Sequence, residues 1–224
     1  MKIEASNQIA HEGTFIPFQA AKGMEDDVAA LLMIAADQVH NTEPGTLQWL
    51  ALQEDDSRFA IADFFPDSKA RERHFAGDVA GGLKDAAEEA IKGGWQEGIM
   101  THVENGRVIA SNIRSAHPLP ARIAVRIVLQ AKHGQEENLA RVLASAALVV
   151  NDTEPNTLLW YAIRINPSRF AIFDVFPNEE AKSAHLSGKV AAALKSKSKE
   201  MVEGGWEGGV VANIKTYRVL SSAY

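Results

Sequence analysis

The chain is 224 residues long, with 23 Lys and Arg against 29 Asp and Glu, a formal net charge of −6 and a pI near 5.7. An acidic balance of this kind speaks against a nucleic acid or an anionic membrane as partner, since both need a basic face. The absence of cysteine rules out disulfides, thiolate-bound metals and a cysteine nucleophile; with no apolar run of membrane-spanning length and no signal-like hydrophobic start, the expected location is cytoplasmic.

The chain then repeats itself. Thr42-Glu43-Pro44 returns as Thr153-Glu154-Pro155, an offset of 111 residues (153 − 42), and the offset holds without a gap from about Gln19 to Val108, paired with Gln130 to Val219. Two copies of one fold, rather than the many of a solenoid, imply two halves packed face to face as a pseudo-dimer. The expected organisation is an N-terminal arm at 1–13, a first repeat at 14–111, a linker at 112–121 containing His117-Pro118-Leu119-Pro120, and a second repeat at 122–224.

Each repeat opens on an extended apolar segment, Phe15-Ile16-Pro17-Phe18 or Ile123 to Leu129. A glycine turn (Gly23, Gly134) leads into a helix whose apolar residues Val28, Leu31, Leu32, Ala35 and Val39 fall at helical spacing; Leu139, Val142, Leu143, Ala146 and Val150 repeat the stripe. Thr-Glu-Pro ends that helix, because proline disfavours helical geometry in the residue before it. A hairpin follows: Leu47 to Gln53 with Arg58 to Phe65, and Leu158 to Arg164 with Arg169 to Phe176, turned at Asp55-Asp56-Ser57 and Asn166-Pro167-Ser168. Asp67 and Asn178 are placed to cap a second helix with the stripe Phe75, Val79, Leu83 (Leu186, Val190, Leu194), ended by Gly93-Gly94 or Gly204-Gly205. A last strand is expected from about Gln96 to Ile109, and from Glu207 to Leu220.

The order β-α-β-β-α-β is the ferredoxin-like split arrangement, so the fold class is α+β: two tandem repeats packed sheet to sheet as an intrachain pseudo-dimeric barrel. Bulky residues on both faces of each strand require a cover for the helix-free face, and the other repeat's sheet supplies it. The expectation is a greasy chamber enclosed between the two halves.

Within this frame Asp63 and Asp174 are the oddest positions. Each shares a strand face with large apolar residues (Phe59, Ile61 and Phe65; Phe170, Ile172 and Phe176), and an unpaired buried carboxylate costs several kcal/mol. Such a group needs a partner or a raised pKa, which suits a general base or an orienter of histidine. His74 and His185 fall on the following helix, with Gly77 and Gly188 at i+3, a spacing that marks close approach of a ligand or another backbone. Trp49 with Phe59, and Trp160 with Phe170, would either form an aromatic wall for a flat substrate or pack the core. The repeats diverge at Gln53 against Arg164 and at Leu50 against Tyr161, so their pockets are expected to differ, with Arg164 in the substrate-contacting set of the second. Zinc spacing, a Walker loop, a nucleophile elbow and a dinucleotide fingerprint are all missing from the sequence.

Glu-Pro-Gly-Thr-Leu-Gln-Trp (43–49), Arg-Phe-Ala-Ile-Ala-Asp-Phe-Phe-Pro-Asp (58–67) and Ala-x-x-x-His (70–74), with their second copies at 154–160, 169–178 and 181–185, resemble the antibiotic biosynthesis monooxygenase domain. The resemblance covers nearly all of both repeats. It implies a dimeric α+β barrel, here fused, and oxidation of a small electron-rich aromatic, a quinol or polyketide-like molecule, without metal or flavin. The catalytic set it implies is Asp63, His74, Asp174 and His185; the family's acid is commonly glutamate where this chain has aspartate, and a tryptophan often found two residues later is Phe65 or Phe176 here. The residues expected to line the substrate are Trp49, Phe59, Phe65, Trp160, Arg164, Phe170 and Phe176. No cofactor is expected. Two alternatives stay open: a haem-binding or haem-degrading barrel with His74 or His185 as axial ligand, and a non-catalytic barrel holding an apolar metabolite. The expected assembly is a monomer with an internal pseudo-dimer, or a homodimer paired through sheet edges.

Overall fold

The structure, a computed structural model, describes residues 9–114 and 119–223. The first repeat runs β1 (Glu12–Gln19), α1 (Glu25–Thr42), β2 (Gln48–Gln53), β3 (Arg58–Phe65), α2 (Ser68–Phe75), α3 (Asp78–Ala90) and β4 (Glu104–Ile113). The second runs β5 (Ile123–Gln130), α4 (Glu136–Thr153), β6 (Leu159–Arg164), β7 (Arg169–Phe176), α5 (Glu179–Leu186), α6 (Lys189–Met201) and β8 (Ile214–Ala223). The first strand therefore starts inside the segment read as an arm, and β4 extends into the stretch read as linker; residues 1–8 and 115–118 of those segments lie outside the described residues.

The eight strands close into one antiparallel barrel in the order β1-β3-β2-β8-β5-β7-β6-β4. Each repeat contributes the ferredoxin-like order, β4-β1-β3-β2 and β8-β5-β7-β6, and the seams between repeats are β2 with β8 and β6 with β4. The last strand of each repeat thus runs across both, and the first helix of each packs on the other's last strand, α1 on β8 and α4 on β4. Closure leaves the barrel without a free edge, which removes the edge-pairing route to a homodimer. Side chains add to the union of the repeats: Glu104 of β4 pairs with Arg126 of β5 and, at 2.7 Å, with Arg169 of β7, and Arg218 of β8 donates to Gln53 across the β2–β8 seam.

Local chemistry explains these elements. The α1 stripe is buried at Val28, Leu32, Ala35 and Val39, while Leu31 stays half-buried, and both long helices stop at the threonine before Glu-Pro. In the hairpin turns Asp55 Oδ1 accepts from the amides of Ser57 and Arg58 (3.0 and 2.8 Å), and Asn166 Oδ1 from those of Ser168 and Arg169 (3.0 and 2.9 Å). Asp67 and Asn178 cap α2 and α5, accepting from the amides of Ala70 (2.8 Å) and Ala181 (2.9 Å).

Three expectations are corrected. The single second helix is broken in two, because Gly77 and Gly188 are extended (ψ 175° and −169°) and restart the chain as N-caps of α3 and α6. The segments after the double glycines are helical before they are strand: a π-helical turn and a 3-10 turn cover Gly94–Ile99 and Met100–His102, and β4 begins only at Glu104. Gly93 and Gly94 are left-handed (φ +86° and +63°), and a Cβ at Gly98 would lie 2.5 Å from the carbonyl oxygen of Lys92, so the chain folds back too tightly for an immediate strand.

The third correction concerns the chamber. The space between the sheets is filled by Phe15, Leu50, Leu52, Phe64, Leu159, Tyr161, Phe173, Val175 and Tyr217, with Phe64 stacked on Tyr161 at 3.8 Å between centroids. Asp63 and Asp174 point the other way, toward the helices, with Trp49 and Trp160 beside them in the facing strand. This eight-stranded barrel fills its lumen with its own side chains, and the cavity beside Asp63 lies between sheet and helices.

Candidate functional site

The hairpin and the capped helix bring three groups together in each repeat. Asp63, mid-β3 and with no exposed surface, has its Oδ2 3.6 Å from Nε2 of His74 on α2; Asp174 and His185 stand at 3.4 Å. The other ring nitrogen, Nδ1, faces a carboxylate the sequence reading had not assigned a role: Oε2 of Glu43 in the first repeat, and Oε2 of Glu154, at 2.5 Å, in the second. A threonine hydroxyl donates to the same glutamate oxygen, Thr46 at 3.1 Å and Thr157 at 3.4 Å. Each histidine is thus held between a wholly buried aspartate and a mostly buried glutamate.

The close approach marked by the His-Gly spacing is that of the glutamate together with the backbone carbonyls of the preceding turn. A Cβ at Gly77 would lie 3.3 Å from Glu43 Oε1, and one at Gly188 2.9 Å from Glu154 Oε1. The signal available in the sequence was the recurrence of a carboxylate directly after a helix end, in the same place in both repeats.

Burial dominates the electrostatics. It pushes Asp63 up to about 7, against the attraction of His74 and with help from the like charge of Glu43. It raises Asp174 in the same way, against the pull of His185. Burial alone would lower both histidines, but the adjoining carboxylates outweigh it: His74 is raised above its ordinary value, and His185 is held up to about 10. Aspartate and histidine face each other with pKa values raised together, so they titrate as a coupled pair. Neither oxygen of Asp63 or Asp174 has a hydrogen-bond partner among the described residues.

An apolar cavity of about 50 Å³ adjoins this cluster in the first repeat. Asp63 and His74 are its acid-base groups, and Trp49, Phe75, Leu83 and Trp95 are among its walls; Gln38 and Gly82 reach the surface at its rim. The cavity next to the second cluster lies on its outer side, about 200 Å³ bounded by Glu154, Thr157, His185, Gly188 and Lys189, and it does not reach Asp174.

The remaining expected site residues do not line the cavity of the first repeat. Phe59 is buried and stacked on Phe18 at 6.1 Å, away from the cavity. Phe65 and Phe176 pack against the histidine rings at 5.4 and 5.2 Å. Trp160 and Phe170 are fully buried in the helix-side core. Arg164 is not at the second cluster: it pairs with Glu137 at 2.7 Å and lies 5.4 Å over the Phe170 ring. Leu50 and Tyr161, whose divergence was read as a difference between pockets, face the barrel interior. No group of three or more His, Asp or Glu arranged to hold a metal occurs among the described residues, and no helix among them is long and apolar enough to cross a membrane.

No protein-family model and no curated protein sequence matches the chain. Its structure is similar to two bacterial proteins, each described as "putative monooxygenase": one from Fusobacterium nucleatum (TM-score 0.78, 17% identity, 96% of this chain and 94% of that one) and one from Lactobacillus acidophilus (0.75, 15%, 96% of each). An anthrone oxidase-like protein is more distantly similar (TM-score 0.58, 11% identity, 98% of this chain and 94% of that one). At these identities the likeness is one of fold. By fold, the chain is an α+β barrel like these proteins, with two ferredoxin-like halves closed into one eight-stranded barrel within one polypeptide.

Proposed function

We propose that the chain is a cofactor-independent monooxygenase for a small electron-rich aromatic, with its working site in the first repeat. The observation that carries this reading is Asp63: a fully buried carboxylate with both oxygens unpartnered, beside an aromatic-walled cavity and within ion-pair distance of a histidine. A carboxylate whose pKa lies near the working pH is suited to taking a proton from a phenol or an activated C–H. The resulting carbanion or phenolate is itself the reductant of dioxygen. For an activated methylene the balance is substrate-CH2 plus O2 giving substrate C=O plus water, one oxygen atom going to each product.

The cavity of about 50 Å³ has room for dioxygen or a few waters, about a third of the ~150 Å³ known to admit benzene. The aromatic therefore has to part the walls at the rim, between α1 at Leu31 and Gln38 and α3 at Gly82 and Leu83. The haem alternative loses ground on geometry, because both ring nitrogens of His74 and His185 already face carboxylates. Oxygen uptake with a panel of quinols and anthrone-type substrates tests the proposal: turnover that disappears in Asp63→Asn supports it, and no turnover with any of them removes it. Ligand retention in native mass spectrometry without oxygen uptake would leave a non-catalytic binding barrel.

A further inference from the structure

We infer that Glu43 is a positioning residue of the proposed site: it fixes the proton of His74 on Nδ1 and so presents Nε2 to Asp63. The inference rests on the reading of Asp63 as the base. An ionised carboxylate only accepts hydrogen bonds, so its short contact with Nδ1 requires a proton on that nitrogen. With Nδ1–H committed to Glu43, the nitrogen facing Asp63 is the one whose protonation varies. The negative charge of Glu43 holds His74 protonated, and the imidazolium facing Asp63 in turn favours the ionised carboxylate that receives the substrate proton.

Three observations show that this contact is built in. Thr46 donates to the same glutamate oxygen, orienting the carboxylate. Gly77, at the break between α2 and α3, leaves the space that Glu43 Oε1 occupies. The arrangement recurs as Glu154, Thr157, His185 and Gly188, although the cavities beside the two clusters differ. The charged groups facing His74 are Glu43 from the loop after α1 and Asp63 from β3; aromatic rings of Phe65 and Phe75 occupy its other sides.

Nitrogen-15 NMR of the imidazoles across a pH titration tests this directly. In the unaltered protein His74 should show Nδ1–H and titrate above its ordinary 6.5. In Glu43→Gln its pKa should fall by at least about one unit, a tenfold change in proton affinity, with His185 unmoved; Glu154→Gln should do the reverse. The acid limb of the kcat/KM profile should shift in Glu43→Gln while a merely structural clamp would lower stability and leave that limb in place. An unchanged tautomer and pKa for His74 overturns the inference. If Glu43→Gln does not fold, Glu154→Gln carries the same measurement on His185. Because the NMR arm needs no turnover, an inactive protein with a shifted His74 would sink the proposed activity and leave the positioning role standing.

Discussion

The two repeats keep the same acid-histidine-acid cluster and differ in what surrounds it. In the first, Gln38, Phe75, Gly81 and Gly82 stand where the second has Val149, Leu186, Ala192 and Ala193, and a cavity reaches Asp63. In the second, Leu194 is buried where Leu83 is half-buried, and the cavity lies against Glu154 instead. The difference teaches that the cluster and the cavity are separable. In both repeats the cluster joins α2 or α5 to its hairpin, whereas the room for chemistry is set by a few small or polar residues around it.

The sharpest way to break that comparison is to neutralise each aspartate in turn. Asp63→Asn should reduce kcat/KM for oxygen uptake by on the order of 10²–10⁴-fold, the usual worth of a general base, and Asp174→Asn by less than about threefold. Equal losses would make the repeats equivalent. Filling the cavity is next: Ala35→Leu on the cavity wall should lower activity about tenfold and cost roughly 1–3 kcal/mol of stability, while Ala146→Leu at the matching place should spare activity.

The pH response separates function from stability. Asp63 has a folded pKa of about 7 against an ordinary 3.8, so the folded state favours its protonated form. The stability from this group is complete below about pH 4 and is lost as pH rises through 7, the same interval in which activity should rise. Asp63→Asn should remove that loss, leaving the variant more stable than the parent by on the order of 2 kcal/mol at pH 8 in urea titrations, although inactive. The smallest effect expected is that of Gly82→Ala, a change of about twofold in KM with the fold intact, since a Cβ there meets nothing within 4 Å.

Much of this was legible in the residues themselves. The gapless offset, the Thr-Glu-Pro helix ends, the Asx turns and the caps at Asp67 and Asn178 are local signals, and each element they describe is where local chemistry puts it. The direction in which Asp63 points was not legible. Strand alternation says that Asp63, Ile61 and Phe59 share a face, but here both faces are buried, one by helices and one by the opposite wall of the barrel, so period alone could not choose. The small residues Ala60 and Ala62 on the other face, fitting a narrow lumen beside Phe64, were the available clue. Glu43 was visible only as a motif letter, because its partner His74 is 31 residues away and meets it only after the hairpin has folded.

The crossing of β4 and β8 has one more consequence. Since each completes the other half's wall, neither half owns a finished core, and the molecule should melt in one cooperative transition rather than two. Where such a union is made by separate subunits it weakens on dilution. Here the tether supplies the partner at an effective concentration of roughly millimolar, so the closed form should persist however scarce the protein becomes.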